Sequence, residues 1–207
     1  MNLIQIPKEF QDYVMLHVTQ CRSKDFDFYT KICESEFETF KEHIKKPKVI
    51  LDLGCGLGRM SIYTNWILND NSIHYILCDS TNKDVISISY GWKPQHSFYS
   101  NLEKAEQLCK LNGLVNFEVI DIKSLSKLKN IDLVMSFLSV GFHYPIEDYI
   151  DVLMGITTQD CEMVFGVRKG KYNENSFSSK FKTRMILEQN LLKKETKEDI
   201  MVLQERA

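Results

Sequence analysis

The sequence predicts an α/β protein, an open and mostly parallel sheet with helices on both faces. Two observations predict it. Short apolar runs of strand length alternate with helical periodicity along most of the chain. The first run, Val49-Ile-Leu-Asp-Leu53, passes directly into Gly54-Cys-Gly-Leu-Gly58 and then into a helical pattern from Arg59. That is a strand, tight turn and helix whose N-terminal N–H groups face whatever lies on the turn.

The remaining elements follow in order. Phe10, Tyr13, Val14, His17, Val18 and Cys21 recur at helical spacing, and so do Phe28, Ile32, Phe37 and Phe40 after a break at Ser23-Lys-Asp25; Pro47 closes the region. Residues 1–46 therefore read as an N-terminal helical cover, a pair packed on one sheet edge. Residues 47–207 read as the core of the same single domain. Strands are predicted at Ile73–Asp79, Asn116–Asp121, Ile131–Phe137, Cys161–Arg168 and, last, Ile200–Glu205. Helices are predicted from Asp84 to Tyr90, from Phe98 to Asn112 with a stop at Gly113, over Ile146–Ile156, and from Ser176 to about Met185. No repeat, low-complexity segment or linker interrupts the pattern.

The glycine loop departs from a dinucleotide fingerprint. Gly58 comes one position early, and Arg59 stands where the last glycine belongs. Asp52 sits at the strand tip, where a carboxylate repels a pyrophosphate by roughly 4 kcal/mol per close pair at moderate dielectric. It suits a ligand carrying an ammonium group, or it caps the loop. Asp79 ends the second strand, placed to accept hydrogen bonds from ribose hydroxyls. The third strand ends in Asp121, and the fourth ends at Ser136-Phe137.

Asp-x-Gly-Cys-Gly-x-Gly after an apolar strand, with these later strand ends in register over residues 48–168, resembles the class I S-adenosylmethionine (SAM)-dependent methyltransferases. The resemblance implies a Rossmann-like, mostly parallel seven-stranded sheet closed by an antiparallel hairpin, with Met185–Leu187 in its other strand. It implies SAM as cofactor, S-adenosylhomocysteine as product, and no metal, and it makes the cover over residues 1–46 a lid as well, whose Phe26, Phe28 and Tyr29 would exclude water on closure. By resemblance Gly54, Cys55, Gly56 and Gly58 shape the loop and Asp52 supports the methionine end. Asp79 and Ser80 hold the ribose, Asp121 and Ile122 face adenine, and Ser136 lies where cofactor meets substrate.

The segment after the fourth strand carries Gly141-Phe-His-Tyr-Pro145 in place of the Asn-Pro-Pro-Tyr of many amine methyltransferases, so base N-methylation loses ground. His143 is matched to general-base work by its pKa range, and Tyr144 is a second candidate, although either can simply pack. This segment and Ser97–Leu102 look similar to small bacterial methyltransferases of surface-polysaccharide gene clusters. That likeness implies O-methylation of a small-molecule acceptor, a sugar or a phosphorylated or phosphoramidate intermediate, in capsule biosynthesis. The rivals are N-methylation of a small amine or protein, a non-catalytic SAM-binding module, and a nucleotide-dependent oxidoreductase, the last disfavoured by Arg59 and Asp52.

Composition bounds the partners. With 207 residues, 43% hydrophobic and 26% charged, and a net charge of -2, the chain has the size for one sizeable core and no electrostatic footprint for nucleic acid. The basic clusters Arg168-Lys-Gly-Lys171 and Lys180, Lys182, Arg184 read as solvated charge or as help in holding an anionic substrate. Six cysteines at 21, 33, 55, 78, 109 and 161 form no Cys-x-x-Cys pair, and Cys55 and Cys78 read as packing residues. With no signal-like start and no membrane-length apolar run, a cytoplasmic location with reduced thiols is expected and no membrane insertion. Oligomeric state is left open.

Overall fold

The computed structural model describes residues 2–11, 14, 25–80, 101–170, 172, 177, 179–188 and 198–207. Seven strands form one sheet in the order β3-β2-β1-β4-β5-β7-β6. They are β1 (Val49–Leu53), β2 (His74–Asp79), β3 (Phe117–Asp121), β4 (Ile131–Ser136), β5 (Thr157–Arg168), β6 (Phe181–Glu188) and β7 (Glu198–Arg206). The pairs β3-β2, β2-β1, β1-β4 and β4-β5 are parallel. β7 runs antiparallel to both β5 and β6.

Both faces of the sheet are covered, so the central strands are apolar throughout rather than alternating. Helices α1 (Asp27–Phe40), α2 (Arg59–Leu68) and α3 (Leu102–Leu111) lie on one face, where Phe37, Phe40, Ile62 and Leu108 meet Ile50, Leu77, Leu133 and Val164. Helix α4 (Glu147–Ile156) and a 3-10 turn over Ile122–Lys127 cover the other face, where Ile150, Leu153 and Leu125 meet Leu51, Val134 and Phe165. Asn101 caps α3 by accepting the Lys104 N–H at 3.0 Å, and Gly113 follows its end with φ +83°.

Two expectations are corrected. The segment expected to be helical up to Met185 is strand β6 from Phe181. Its Phe181, Thr183 and Met185 are register partners of β7, and the 181–188 run pairs along its whole length. The helical pattern there is a short amphipathic run that tertiary pairing overrides. The helix expected from Phe98 begins at Leu102 after its Asn101 cap. Residues 98–100, the helix expected at Asp84–Tyr90 and most of the first N-terminal helix lie outside the described residues; Lys8–Phe10 form a 3-10 turn.

Helix α1 belongs to the core. Ile32, Cys33, Phe37 and Phe40 are fully buried, and Glu36 lies in the same stripe with no exposed surface. Glu36 meets the Arg59 guanidinium in a two-pronged pair, with Nη2 donating to Oε1 at 2.8 Å and Nη1 donating to Oε2. Nη1 also donates to Cys33 Sγ at 3.3 Å. The pair fixes α1 to the first residue of α2. Glu36→Ala is expected to cost about 3–5 kcal/mol in urea denaturation, because it leaves a buried guanidinium uncompensated, while Glu36→Leu combined with Arg59→Leu recovers most of that loss.

Candidate functional site

Strand order reverses between β1 and β4, and the crevice beyond their C-terminal ends is where open α/β sheets hold ligands. The glycine loop enters this crevice from β1. Gly54 has φ +71°, and a Cβ there would lie 1.8 Å from Ser139 Oγ in the loop after β4. Gly58 has φ +76° and faces Cys109 Sγ and Leu77, which a Cβ would meet at 2.6 and 2.7 Å. Both positions therefore require glycine for conformation and for space.

Three of the loop amides are spent on the neighbouring strand. Gly54 N–H and Cys55 N–H donate to the Cys78 carbonyl at 2.7 and 3.2 Å. Gly56 N–H donates to Asp79 Oδ2 at 2.9 Å, and Ser80 N–H donates to Asp79 Oδ1 at 2.7 Å. Asp79 is thus a loop anchor as well as an acidic strand tip. Asp52 accepts from Ser61 Oγ at 2.7 Å. Burial pushes the carboxyls of Asp52 and Asp79 up to about 6, against the hydrogen bonds that favour their ionised forms. Cys55 is buried, and burial drives its thiol well above the ordinary range, so it is a neutral packing group beside the loop.

Asp121 stands directly across from Asp79 in the β2-β3 register, and its Oδ1 caps the following 3-10 turn by accepting the Lys123 N–H at 2.9 Å. Ile122 opens that turn, half-buried against the second core. Ser136 is fully buried. Its hydroxyl donates to the Leu53 carbonyl at 2.7 Å and accepts the Val140 N–H at 3.1 Å. It forms the floor of the crevice, joining the ends of β1 and β4.

The loop after β4 turns back over that floor. The N–H groups of Phe142, His143 and Tyr144 all donate to the Ser139 carbonyl, at 3.1, 2.7 and 3.2 Å. His143 is buried, with its ring edge-on to Phe142 at 5.1 Å between centroids. Burial, with a smaller push from the Asp79 charge, raises the Tyr144 phenol to about 12, so it stays a neutral hydroxyl at pH 7. All the described residues expected at the site therefore gather on one edge of the sheet.

Three charged residues at this edge escaped the sequence reading: Glu36, Arg59 as its partner, and Glu198. Glu198 opens β7, is buried, and accepts from the Leu138 N–H. Burial, and then the Glu36 charge, drive its carboxyl well above the usual range. The one signal for Glu36 was a carboxylate inside the apolar stripe of α1. Among the described residues no group of His, Cys, Asp and Glu could hold a metal ion, and no helix is long and apolar enough to cross a membrane. The described cysteines 33, 55, 78, 109 and 161 are free and buried.

No protein-family model matches the chain, and no curated protein matches it. Solved structures do. A proposed O-methyltransferase of Nostoc punctiforme is 12% identical with a TM-score of 0.63, covering 93% of this chain and 60% of its own. An O-methyltransferase family protein of Burkholderia thailandensis is 11% identical at 0.55, covering 95% and 58%. The spermidine synthase of Thermotoga maritima is 13% identical at 0.55, covering 84% and 59%. The chain thus spans about three fifths of the length of each. These likenesses show a shared Rossmann-like α/β fold and nothing finer, and the presence of a synthase among them leaves the reaction to be argued from the site.

Asp52 and Asp79 titrate near 6 in the fold against an ordinary 3.8. The folded chain therefore binds more protons than the unfolded one across that window. Its stability falls as pH rises from about 4 through 6 and then levels off. Glu36 and Glu198 are shifted in the same direction. The melting temperature of the free chain is expected to be higher at pH 5 than at pH 7.5. Asp52→Asn, which keeps an acceptor for Ser61, should raise it at pH 7.5. A melting temperature that drops between pH 7.5 and 5 would contradict this account of the carboxyls.

Proposed function

We propose that this chain is a SAM-dependent methyltransferase acting on an oxygen of a small-molecule acceptor in the cytoplasm, with residues 1–46 as its cover and 47–207 as its catalytic core. The acceptor class favoured by the sequence likeness is a sugar or a phosphorylated or phosphoramidate intermediate of bacterial surface-polysaccharide biosynthesis. The observation that carries the cofactor reading is the state of the glycine loop. The N–H groups of Gly54, Cys55 and Gly56 are consumed by Cys78 and Asp79, so these three amides are not offered to a pyrophosphate. What it presents is carboxylate. Asp52 and Asp79 are held in a buried setting that penalises their charge, and a cationic ligand relieves that penalty.

SAM supplies an electrophilic methyl on a sulfonium that is already a good leaving group, and a ribose and an ammonium for the strand-tip carboxylates. This chain's own work is then positioning and proton handling. Asp79 has lone pairs left for ribose hydroxyls, and Asp121 with Ile122 borders the adenine end. Ser136 fixes the crevice floor and the loop that brings the acceptor in line, and alignment can supply roughly 7–11 kcal/mol of the barrier. His143 would take the proton of a neutral acceptor hydroxyl, and the neutral Tyr144 hydroxyl would orient the acceptor. An acceptor oxygen that is already ionised needs no base.

Calorimetry should find micromolar binding of both SAM and S-adenosylhomocysteine, abolished by Gly54→Val, whose side chain collides with Ser139. A folded chain that binds neither would overturn the reading. His143→Ala should leave cofactor affinity unchanged. It should slow transfer roughly a hundred- to ten-thousandfold to a sugar hydroxyl, and far less to an ionised oxygen.

A further inference from the structure

The ligand edge of the sheet carries acid on one side and a cation on the other. The acidic side is Asp52 and Asp79, at the tips of β1 and β2. The cation is Arg168, the last residue of β5. Its backbone N–H donates to the Gly141 carbonyl at 3.1 Å, which ties the end of β5 to the loop that carries Phe142, His143 and Tyr144. Its guanidinium lies over the Phe142 ring, 5.6 Å from the centroid. The same ring meets His143 edge-on.

The charge neighbours of Arg168 are engaged elsewhere. Lys169 is neutralised by Asp199 at 3.5 Å and Glu188 at 3.7 Å. Glu198, the register partner of Arg168, turns its carboxyl to the Leu138 N–H. Among the described residues Arg168 makes no ion pair, and none of its side-chain donors is spent. A half-buried guanidinium with a fixed fork of N–H donors, seated on an aromatic face beside the transfer site, is the arrangement that recognises a planar or tetrahedral oxyanion.

We propose that Arg168, supported by Phe142, recognises an oxyanion on the methyl acceptor, a phosphate or a carboxylate. This deepens the methyltransferase reading and rests on it. The cation on the cofactor faces Asp52 and Asp79, and the anion on the acceptor faces Arg168, so the two reactants enter from opposite sides of one crevice. The Glu198 carboxyl is turned to the Leu138 N–H, and burial, then the Glu36 charge, disfavour its charged form.

The test is an amide-shift titration of protein saturated with S-adenosylhomocysteine, using inorganic phosphate, acetate and chloride as separate probes, on the unaltered chain and on Arg168→Gln and Arg168→Lys. Saturating shifts at Phe142 and His143 with phosphate or acetate but not with chloride are expected. Affinity should fall at least fivefold in Arg168→Gln and partly recover in Arg168→Lys, with S-adenosylhomocysteine affinity unchanged within twofold. Which of the two anions binds tighter identifies the carrier group. No saturation by either anion, or equal binding by Arg168→Gln, overturns the proposal and leaves the cofactor reading standing. Loss of S-adenosylhomocysteine affinity in Arg168→Gln also overturns it, because the arginine would then serve the cofactor's own carboxylate. Failure of the unaltered chain to bind S-adenosylhomocysteine removes the methyltransferase reading and this proposal with it.

Discussion

The buried pair between Glu36 and Arg59 is the joint on which the site depends. Arg59 is the first residue of α2 and follows Gly58 directly, so any tilt of that helix moves the glycine loop. Glu36 projects from the stripe of α1 that packs on the same face of the sheet. Two parallel hydrogen bonds set both the distance and the rotation between the helices, which apolar contact alone does not do. Desolvation makes such a pair a poor source of net stability. Its value here is positional: it locks a glycine-rich turn that has little stiffness of its own.

A second constraint runs along the ligand edge. Asp52, Asp79, Glu36 and Glu198 are all buried, and burial works against the charged form of each. A sheet selected for stability alone would place apolar groups there. The chain keeps carboxyls and anchors each with neighbouring donors. On the proposed reading, Asp52 and Asp79 stand where a cationic ligand would restore the lost solvation, so stability would be exchanged for binding at these two strand tips, while the apolar interiors of both faces stay regular.

This division explains what could be read from the sequence. The parallel strands are apolar runs ended by polar residues, so Val49–Leu53, His74–Asp79 and Ile131–Ser136 were visible almost to the residue. The glycine loop and Asp79 were visible because their spacing is local. Glu36, Glu198 and the contact between Ser139 and Gly54 were not, because each joins segments far apart in the chain and its role exists only once the sheet is assembled. The first half of β6 was misread for the same reason, while Met185–Leu187 was expected in this strand. Its strand state comes from pairing with β7, whereas the 181–185 stretch by itself carries a helical pattern.

The charge layout also bears on the direction of the proposed reaction. Methyl transfer turns a sulfonium into a neutral thioether, while the ammonium that Asp52 attracts and the ribose that Asp79 holds stay on the product. Those carboxyls are pushed up to about 6 in the free chain, so above that pH they would attract cofactor and product alike, and below it the attraction fades for both. On the acceptor side, an oxyanion held by Arg168 keeps its charge when a neutral hydroxyl elsewhere on the acceptor is methylated, and loses one only when the oxyanion is itself the nucleophile. In the first case the strand-tip carboxyls and Arg168 would hold the parts of the two reactants that do not react. Two opposed charges then position the reactants without telling them from the products, and that discrimination falls to the groups that meet the sulfonium.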